Sequence, residues 1–213
     1  MDRGLSLKEV EIFKSGYRLL GCDQEIAPGE VLTVMGPSGV GKSTLLSFII
    51  GTLGSDFDAK GEVWLDGRNI TQTPPRERRV GILFQEDLLF AHLSVAQNLA
   101  FGLTSKVKTR KDRKERITQA LSEIGLEGFA NRDPATLSGG QKARVSLMRM
   151  LLSEPCALLL DEPFSRLDAA LRAQMRSLVF DTARARALPV VMVTHDKEDA
   201  KAAGGALMEI VPT

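Results

Sequence analysis

Four groups of residues have types and spacings that could do chemistry. The first is Gly36-Pro37-Ser38-Gly39-Val40-Gly41-Lys42-Ser43-Thr44, which fits the phosphate-loop pattern G-x-x-x-x-G-K-[ST]. Its glycines let the backbone turn sharply and aim N–H groups inward, and a helix starting there adds unpaired donors and the positive end of its dipole. A triphosphate suits that cradle. Lys42 would bring a compact cation to the β- and γ-phosphates, and Ser43 a hydroxyl to Mg²⁺. The second group is Asp161-Glu162, two carboxylates in succession: Asp161 can hold the water shell of Mg²⁺ and Glu162 can take a proton from an attacking water. The third is a pair of polar residues at the ends of apolar runs. Gln85 follows Arg79 to Phe84 and is either a ligand of Mg²⁺ or water, or a surface glutamine; His195 follows Val190 to Thr194 and is either functional or structural. The fourth is Leu137-Ser138-Gly139-Gly140-Gln141, a hydroxyl and two close-approach glycines at another helix start, and so a second anion site.

These groups need elements to hold them. Val31 to Met35 before the phosphate loop and Leu45 to Ile50 after it predict strand, loop and helix. Leu5 to Ile12 and Tyr17 to Ile26 alternate as strands, with Phe13 and Tyr17 at the connection, where either aromatic ring could stack on a purine or simply pack. Thr52 to Lys60 reads as loop, Gly61 to Gly67 as a strand ending in a turn with Trp64 in the core, and Arg79 to Phe84 as a further strand. From Glu86 to Glu154 strand signals vanish. Ser94 caps a helix through Phe101, and Ile117, Ala120, Leu121 and Ile124 mark one face of another that Gly125 ends. The Ser138 helix runs through Leu152.

Ala157 to Leu160 and Val190 to Thr194 are continuous apolar runs, the pattern of central parallel strands covered on both faces. A helix from Ala169 to Ala187 joins them, with Leu171, Met175, Leu178 and Thr182 on one face. Ends of such strands gather ligand-binding residues. The domain organisation that follows is a nucleotide-binding core of residues 1–85 and 155–213 with a helical subdomain of 86–154 inserted.

Composition sets bounds on partners. The 213 residues, 43% hydrophobic and 26% charged, suffice for one sizeable core, and a formal charge of +1 offers no global field for nucleic acid. No apolar leader or membrane span is present, which predicts a cytosolic chain. Cys22 and Cys156 are too far apart in sequence for a C-x-x-C or metal motif and read as reduced residues. The basic run Lys106 to Arg116 either faces anionic lipid headgroups or is a solvated helix start.

Taken in order and spacing, GPSGVGKST, Gln85, LSGGQ, LLLDEP, Ser165-Arg166-Leu167-Asp168 and His195 resemble the ATP-binding-cassette (ABC) ATPases over essentially the whole chain. LSGGQ is diagnostic of that family among phosphate-loop proteins. The resemblance implies an α/β fold: a phosphate-loop (RecA-like) core, an N-terminal antiparallel β subdomain and an inserted α-helical subdomain. It also implies Mg²⁺ and ATP, and a head-to-tail dimer with a second copy of the chain. In that dimer the loop Gly36 to Thr44 of one chain and Ser138, Gly139, Gly140 and Gln141 of the other grip one nucleotide, so the two anion sites become one. Glu162, His195 and Gln85 would then be catalytic, with Ser43, Gln85 and Asp161 at the metal. The 23 residues from Phe13 to Gly36 are like the spacing in sugar-importer ATPases and select Phe13 over Tyr17 for the adenine.

Pro74-Pro75, Arg79 to Gln85 and Leu89 to Leu99 look like the type I importers for thiamine, ferric iron and sulfate, which places His92 in a docking loop. The partners so implied are transmembrane permease subunits and an extracytoplasmic solute-binding protein, with the chain on the cytoplasmic face of the inner membrane. Phe84, Leu88, Leu89 and Phe90 would form the permease groove, or else ordinary hinge packing. The chain stops at Thr213, which implies no C-terminal regulatory domain. The competing readings are a soluble ABC ATPase acting on nucleic acid or ribosomes, and an exporter or lipoprotein-release ATPase.

Overall fold

The computed structural model describes residues 3–37 and 39–210, so Ser38 of the phosphate loop lies outside the described residues. The chain runs β1 (Leu5–Lys14), β2 (Tyr17–Ile26), β3 (Val31–Met35), α1 (Lys42–Ile50), β4 (Phe57–Leu65), β5 (Arg68–Asn69) and β6 (Val80–Leu83). Three helices follow without an intervening strand: α2 (Val95–Gly102), α3 (Arg110–Glu123) and α4 (Gly139–Leu151). The chain then returns to alternation with β7 (Ala157–Asp161), α5 (Ala169–Ala185), β8 (Val190–Thr194), α6 (Lys197–Ala203) and β9 (Ala206–Glu209).

Two sheets result, one antiparallel in the order β2-β1-β4-β5 and one parallel in the order β6-β7-β8-β3-β9. Alternation along the central strands divides the interior in two. Ala157, Leu159, Val191 and Val193 turn toward Leu45, Leu46 and Ile49 of α1, which is packed between the parallel sheet and the Leu5, Leu7, Val10 and Ile12 face of the antiparallel one. Leu158, Leu160, Val190 and Met192 turn the other way, onto Met175, Val179, Phe180 and Ala183 of α5, and that cluster continues into the core of the three-helix insert. Both faces of the sheet are covered, which is why β3 and β8 are buried from end to end. Each fully buried leucine there contributes about 1.5–3 kcal/mol.

The helix starts follow from local chemistry. Ser94 and Ser138 each close a reciprocal capping box with the glutamine three residues on, and Thr109, Asp168 and Asp196 cap α3, α5 and α6 with side-chain oxygens.

Several elements depart from the expectations. β4 begins at Phe57, four residues before Gly61, because its first half alternates half-buried and exposed positions with polar residues outward and so looks like loop. Trp64 is half-buried on the sheet surface: its Nε1–H donates to Glu62 at 2.7 Å, and Lys8 lies over its ring. The buried stripe of α5 is Met175, Val179, Phe180 and Ala183, with Leu171 and Leu178 at its margin. Leu89 packs inward against the helical core instead of lining a groove. The edge strand β9, short and mostly exposed, carries too little pattern to be read from sequence.

Candidate nucleotide site

The phosphate loop leaves β3 at the carboxyl edge of the parallel sheet and enters α1 through Gly41, which has φ +94°. Gly39, at φ +86°, has open space where a side chain would stand, which leaves room for a ligand to approach the backbone closely. Lys42 is buried, and its Nζ donates to the Gly36 and Pro37 carbonyls, each at 2.8 Å. Those two bonds hold the ammonium inside the loop and leave one of its three N–H donors for an anion. Val40 and Thr44 complete the loop and the first turn of α1, and Thr44 is half-buried there.

Ser43 Oγ donates to Asp161 Oδ1 at 3.0 Å, joining the start of α1 to the end of β7. Burial, with Glu162 adding to it, holds the Asp161 carboxyl above its ordinary range, while the Ser43 hydrogen bond and Lys42 act against it. Serine hydroxyl and carboxylate are hard oxygen donors suited to Mg²⁺, and a bound cation would offset that burial penalty. Among the described residues no group of three or more His, Cys, Asp or Glu side chains forms a metal cage.

Glu162 follows directly and has φ +45°, a left-handed conformation that costs energy for a side chain of this kind. Its backbone is held there on both sides. Glu162 N–H donates to the Val193 carbonyl at 3.0 Å, and Ser165 Oγ donates to the Glu162 carbonyl at 2.9 Å. The turn aims the carboxylate at His195, whose Nδ1 lies 3.1 Å from Oε1. With Glu162 ionised, Nδ1–H is the donor, and the second carboxylate oxygen stays available to water.

A partly buried ion network centred on the buried Asp199 backs His195, and sequence reasoning missed it. Arg176 Nε donates to Asp199 at 2.6 Å and Arg172 to Asp196 at 2.7 Å, while the Thr194 hydroxyl reaches Asp199 at 3.4 Å. Asp196 also caps α6. Helix α5, which begins at Asp168, is thereby tied to the turn that carries His195. The signal was present as Arg172 and Arg176 four apart on a helix and Asp196 and Asp199 three apart after a buried strand.

Gln85 leaves the same sheet edge, two residues past Leu83, and Leu83 pairs with Leu160 two residues before Glu162. Its side chain is exposed and makes no hydrogen bond among the described residues. Arg149 of α4 holds the loop beyond it by donating to the Leu88 carbonyl at 3.0 Å and lying 5.2 Å over the Phe90 ring. Burial raises the neighbouring Asp87 carboxyl against the pull of Lys142, Arg166 and Arg149.

The remaining expected site residues stand apart from this edge. Ser138 and Gln141 are engaged with each other in the α4 cap, at 3.3 and 3.0 Å, and no hydrogen bond among the described residues joins Ser138, Gly139, Gly140 or Gln141 to the phosphate loop. Gly139 faces open space, whereas a Cβ at Gly140 would run into Leu171 of α5. Phe13 sits half-buried near the end of β1 with Lys60 5.4 Å over its ring, and Tyr17 is 78% exposed. Leu19, the extra residue of a bulge in β2, and Leu20 next to it are the side chains beside Gly41. Cys22 is buried, which with Asp23 pushes its thiol up to about 12, and Cys156 is likewise free. No described helix is long and apolar enough to cross a membrane.

Residues 19–165 match the protein family described as ABC transporter. The chain is 49% identical over 204 residues to the uncharacterised ABC transporter ATP-binding protein YnjD of Escherichia coli strain K12, covering 95% of this chain and 94% of that one. It is 43% identical over 198 residues to the thiamine import ATP-binding protein ThiQ of Vibrio vulnificus strain YJ016, covering 93% and 83%. Among solved structures it resembles cbiO1 of Clostridium perfringens, described as part of the ABC transporter complex cbiONQ. There the TM-score is 0.85 at 29% identity, covering 99% of this chain and 85% of that one.

Proposed function

This chain belongs to the ABC transporter family as an ATP-binding ATPase subunit, and from that premise we propose that it is the motor of a membrane importer. The observation that carries the reading is the sheet edge that places Lys42 in the loop, Ser43 on Asp161 and Glu162 on His195. Relatives named for thiamine import support the importer direction, and a structural neighbour from a transporter complex supports work with membrane partners.

In this reading the loop residues Gly36 to Thr44 hold the phosphates of ATP, and Lys42 neutralises them. Ser43 and Asp161, with Gln85 from the loop after β6, would hold Mg²⁺, and the ion would supply positive charge against the negative charge of the phosphates. Glu162 accepts the proton of the attacking water, and His195 keeps the carboxylate oriented and contacts the terminal phosphate. Phe13 takes the adenine. Ser138 to Gln141 lie away from the phosphate loop of their own chain and serve the nucleotide of a second copy, giving a head-to-tail dimer that closes on ATP and opens after hydrolysis. Permease subunits, with a solute-binding protein outside the membrane, would be moved by that cycle from the chain's position on the cytoplasmic face.

Mixed dimers test the shared site. A dimer with Lys42→Ala in one chain and Ser138→Arg in the other keeps one intact composite site and roughly half the wild-type ATPase if the two sites act independently. A dimer with both substitutions in the same chain keeps none. Equal activity in the two arrangements would refute the head-to-tail geometry.

A further inference from the structure

Residues 106–114 carry cations that the fold does not use. Two of the basic residues in this stretch do have partners: Lys106 pairs with Glu154 at 2.8 Å, and Arg113 donates to the Ala100 carbonyl at 3.0 Å. Those contacts pin the segment between the end of α2 and the turn after α4. Lys108, Arg110, Lys111 and Lys114 are exposed, and no ion pair among the described residues engages them. Arg110 and Lys111 moreover occupy the first turn of α3, where the helix dipole disfavours positive charge and only Asp112 opposes it. Helix geometry sets Arg110 and Lys114, four apart, along one flank beside the buried stripe of Ala120 and Leu121, with Lys111 at the edge of that flank one turn from Glu115 and Asp112 turned further away. Phe101, 70% exposed, stands one residue from the carbonyl that Arg113 holds.

We propose that Phe101, Lys108, Arg110, Lys111 and Lys114 form a surface that rests on the anionic headgroups of a lipid bilayer. The inference depends on the reading that the adjoining groove takes a membrane permease, because Phe101 lines that groove as well. Clustered cations with an exposed aromatic residue bind anionic bilayers by charge attraction plus shallow insertion of the ring. Helix stability does not account for cations in the first turn of α3, whereas a negatively charged surface does. The patch would orient the groove toward the membrane before any permease is engaged.

Co-sedimentation of the full chain with lipid vesicles tests this. Vesicles of phosphatidylcholine with about one third phosphatidylglycerol should retain the protein at low salt, pure phosphatidylcholine vesicles should not, and high salt should release it. Each cation near such a surface contributes roughly fivefold. Substituting Lys108→Gln, Arg110→Gln, Lys111→Gln and Lys114→Gln together should therefore lower partitioning by roughly a hundredfold or more. Basal ATPase and thermal stability should stay at or above wild type, since the α3 start loses an unfavourable charge. Lys8→Gln, Lys14→Gln, Arg18→Gln and Lys60→Gln together, on the antiparallel sheet, change net charge equally and should leave partitioning within about twofold. Wild-type protein that ignores anionic vesicles, equal losses from both sets, or binding of the patch to an RNA oligonucleotide in place of vesicles would overturn the proposal. Protein-free vesicles carry no permease, so failure here is distinct from failure of the importer reading.

Discussion

At the scale of single residues, Asp161 and Glu162 are adjacent carboxylates in opposite circumstances. Asp161 is held by burial above its ordinary pKa, so folding favours its protonated form. The stability it contributes is present below its unfolded pKa and lost as pH rises through the folded one, and at neutral pH its charge weighs against the fold. Asp161→Asn should therefore raise the melting temperature of the metal-free chain at pH 7 by roughly 2–4 °C, with little gain near pH 4, while abolishing Mg²⁺-dependent turnover. A lower melting temperature at pH 7 would show that the Ser43 contact outweighs the burial. Glu162→Gln should separate binding from chemistry: the amide cannot accept a proton from water, so hydrolysis falls by roughly two to four orders of magnitude while ATP stays bound. Size-exclusion chromatography with ATP should show the variant as a dimer, and normal turnover by a monomer would remove Glu162 from its role as base.

At the scale of elements, the two glycines that open α4 divide into one that packs and one that faces out. A Cβ at Gly140 would meet Leu171, so Gly140→Ala should overpack the α4–α5 contact and cost about 1–3 kcal/mol, visible as a lower melting temperature. Gly139 has open space, so Gly139→Ala should leave the isolated chain as stable as before; on the proposed head-to-tail geometry the added methyl would meet the nucleotide of the second copy and weaken the ATP-dependent dimer. A Gly139→Ala variant that dimerises on ATP like wild type would place that contact elsewhere. Neither role was legible in the repeated glycine itself, since what separates them is a leucine more than thirty positions away. Elements whose pattern is local were legible: the buried runs of β7 and β8, and the helices started by Ser94 and Ser138, follow from hydrophobic continuity and capping chemistry. Those whose determinant is tertiary were not. β4 hides its first half in polar outward residues, Trp64 is claimed by Lys8 and Glu62 from its own sheet, and the Arg176–Asp199 network behind His195 exists only once α5 and α6 are packed together.

At the scale of the whole molecule, a loop leads from the sheet edge to the helical insert. It begins at Gln85, is clasped by Arg149 of α4, and is linked at Glu86 to Arg166, four residues past Glu162, by a 3.0 Å ion pair. Phe84, Leu88, Phe90 and Phe101 line the adjoining groove of about 510 Å³, with Leu88 left 51% exposed at φ +45°. Exposed apolar side chains over a held loop suit a short amphipathic helix from a partner, and a ligand change at Gln85 would be felt by whatever occupies the groove. Hinge packing would have turned Leu88 against the helical core as it does the half-buried Leu89. Affinity capture of tagged Glu162→Gln protein from solubilised membranes should therefore bring down a polytopic permease. Adding Leu88→Glu should reduce that capture by at least tenfold, the equivalent of about 1.4 kcal/mol, with ATP binding intact because Leu88 lies outside the phosphate loop. Adding Leu89→Glu tests folding instead, since Leu89 packs against the helical core, and it should lower the melting temperature of the chain on its own. Capture of ribosomes or DNA without a membrane protein would sink the transporter reading, and a permease retained despite Leu88→Glu would move the docking site away from this groove.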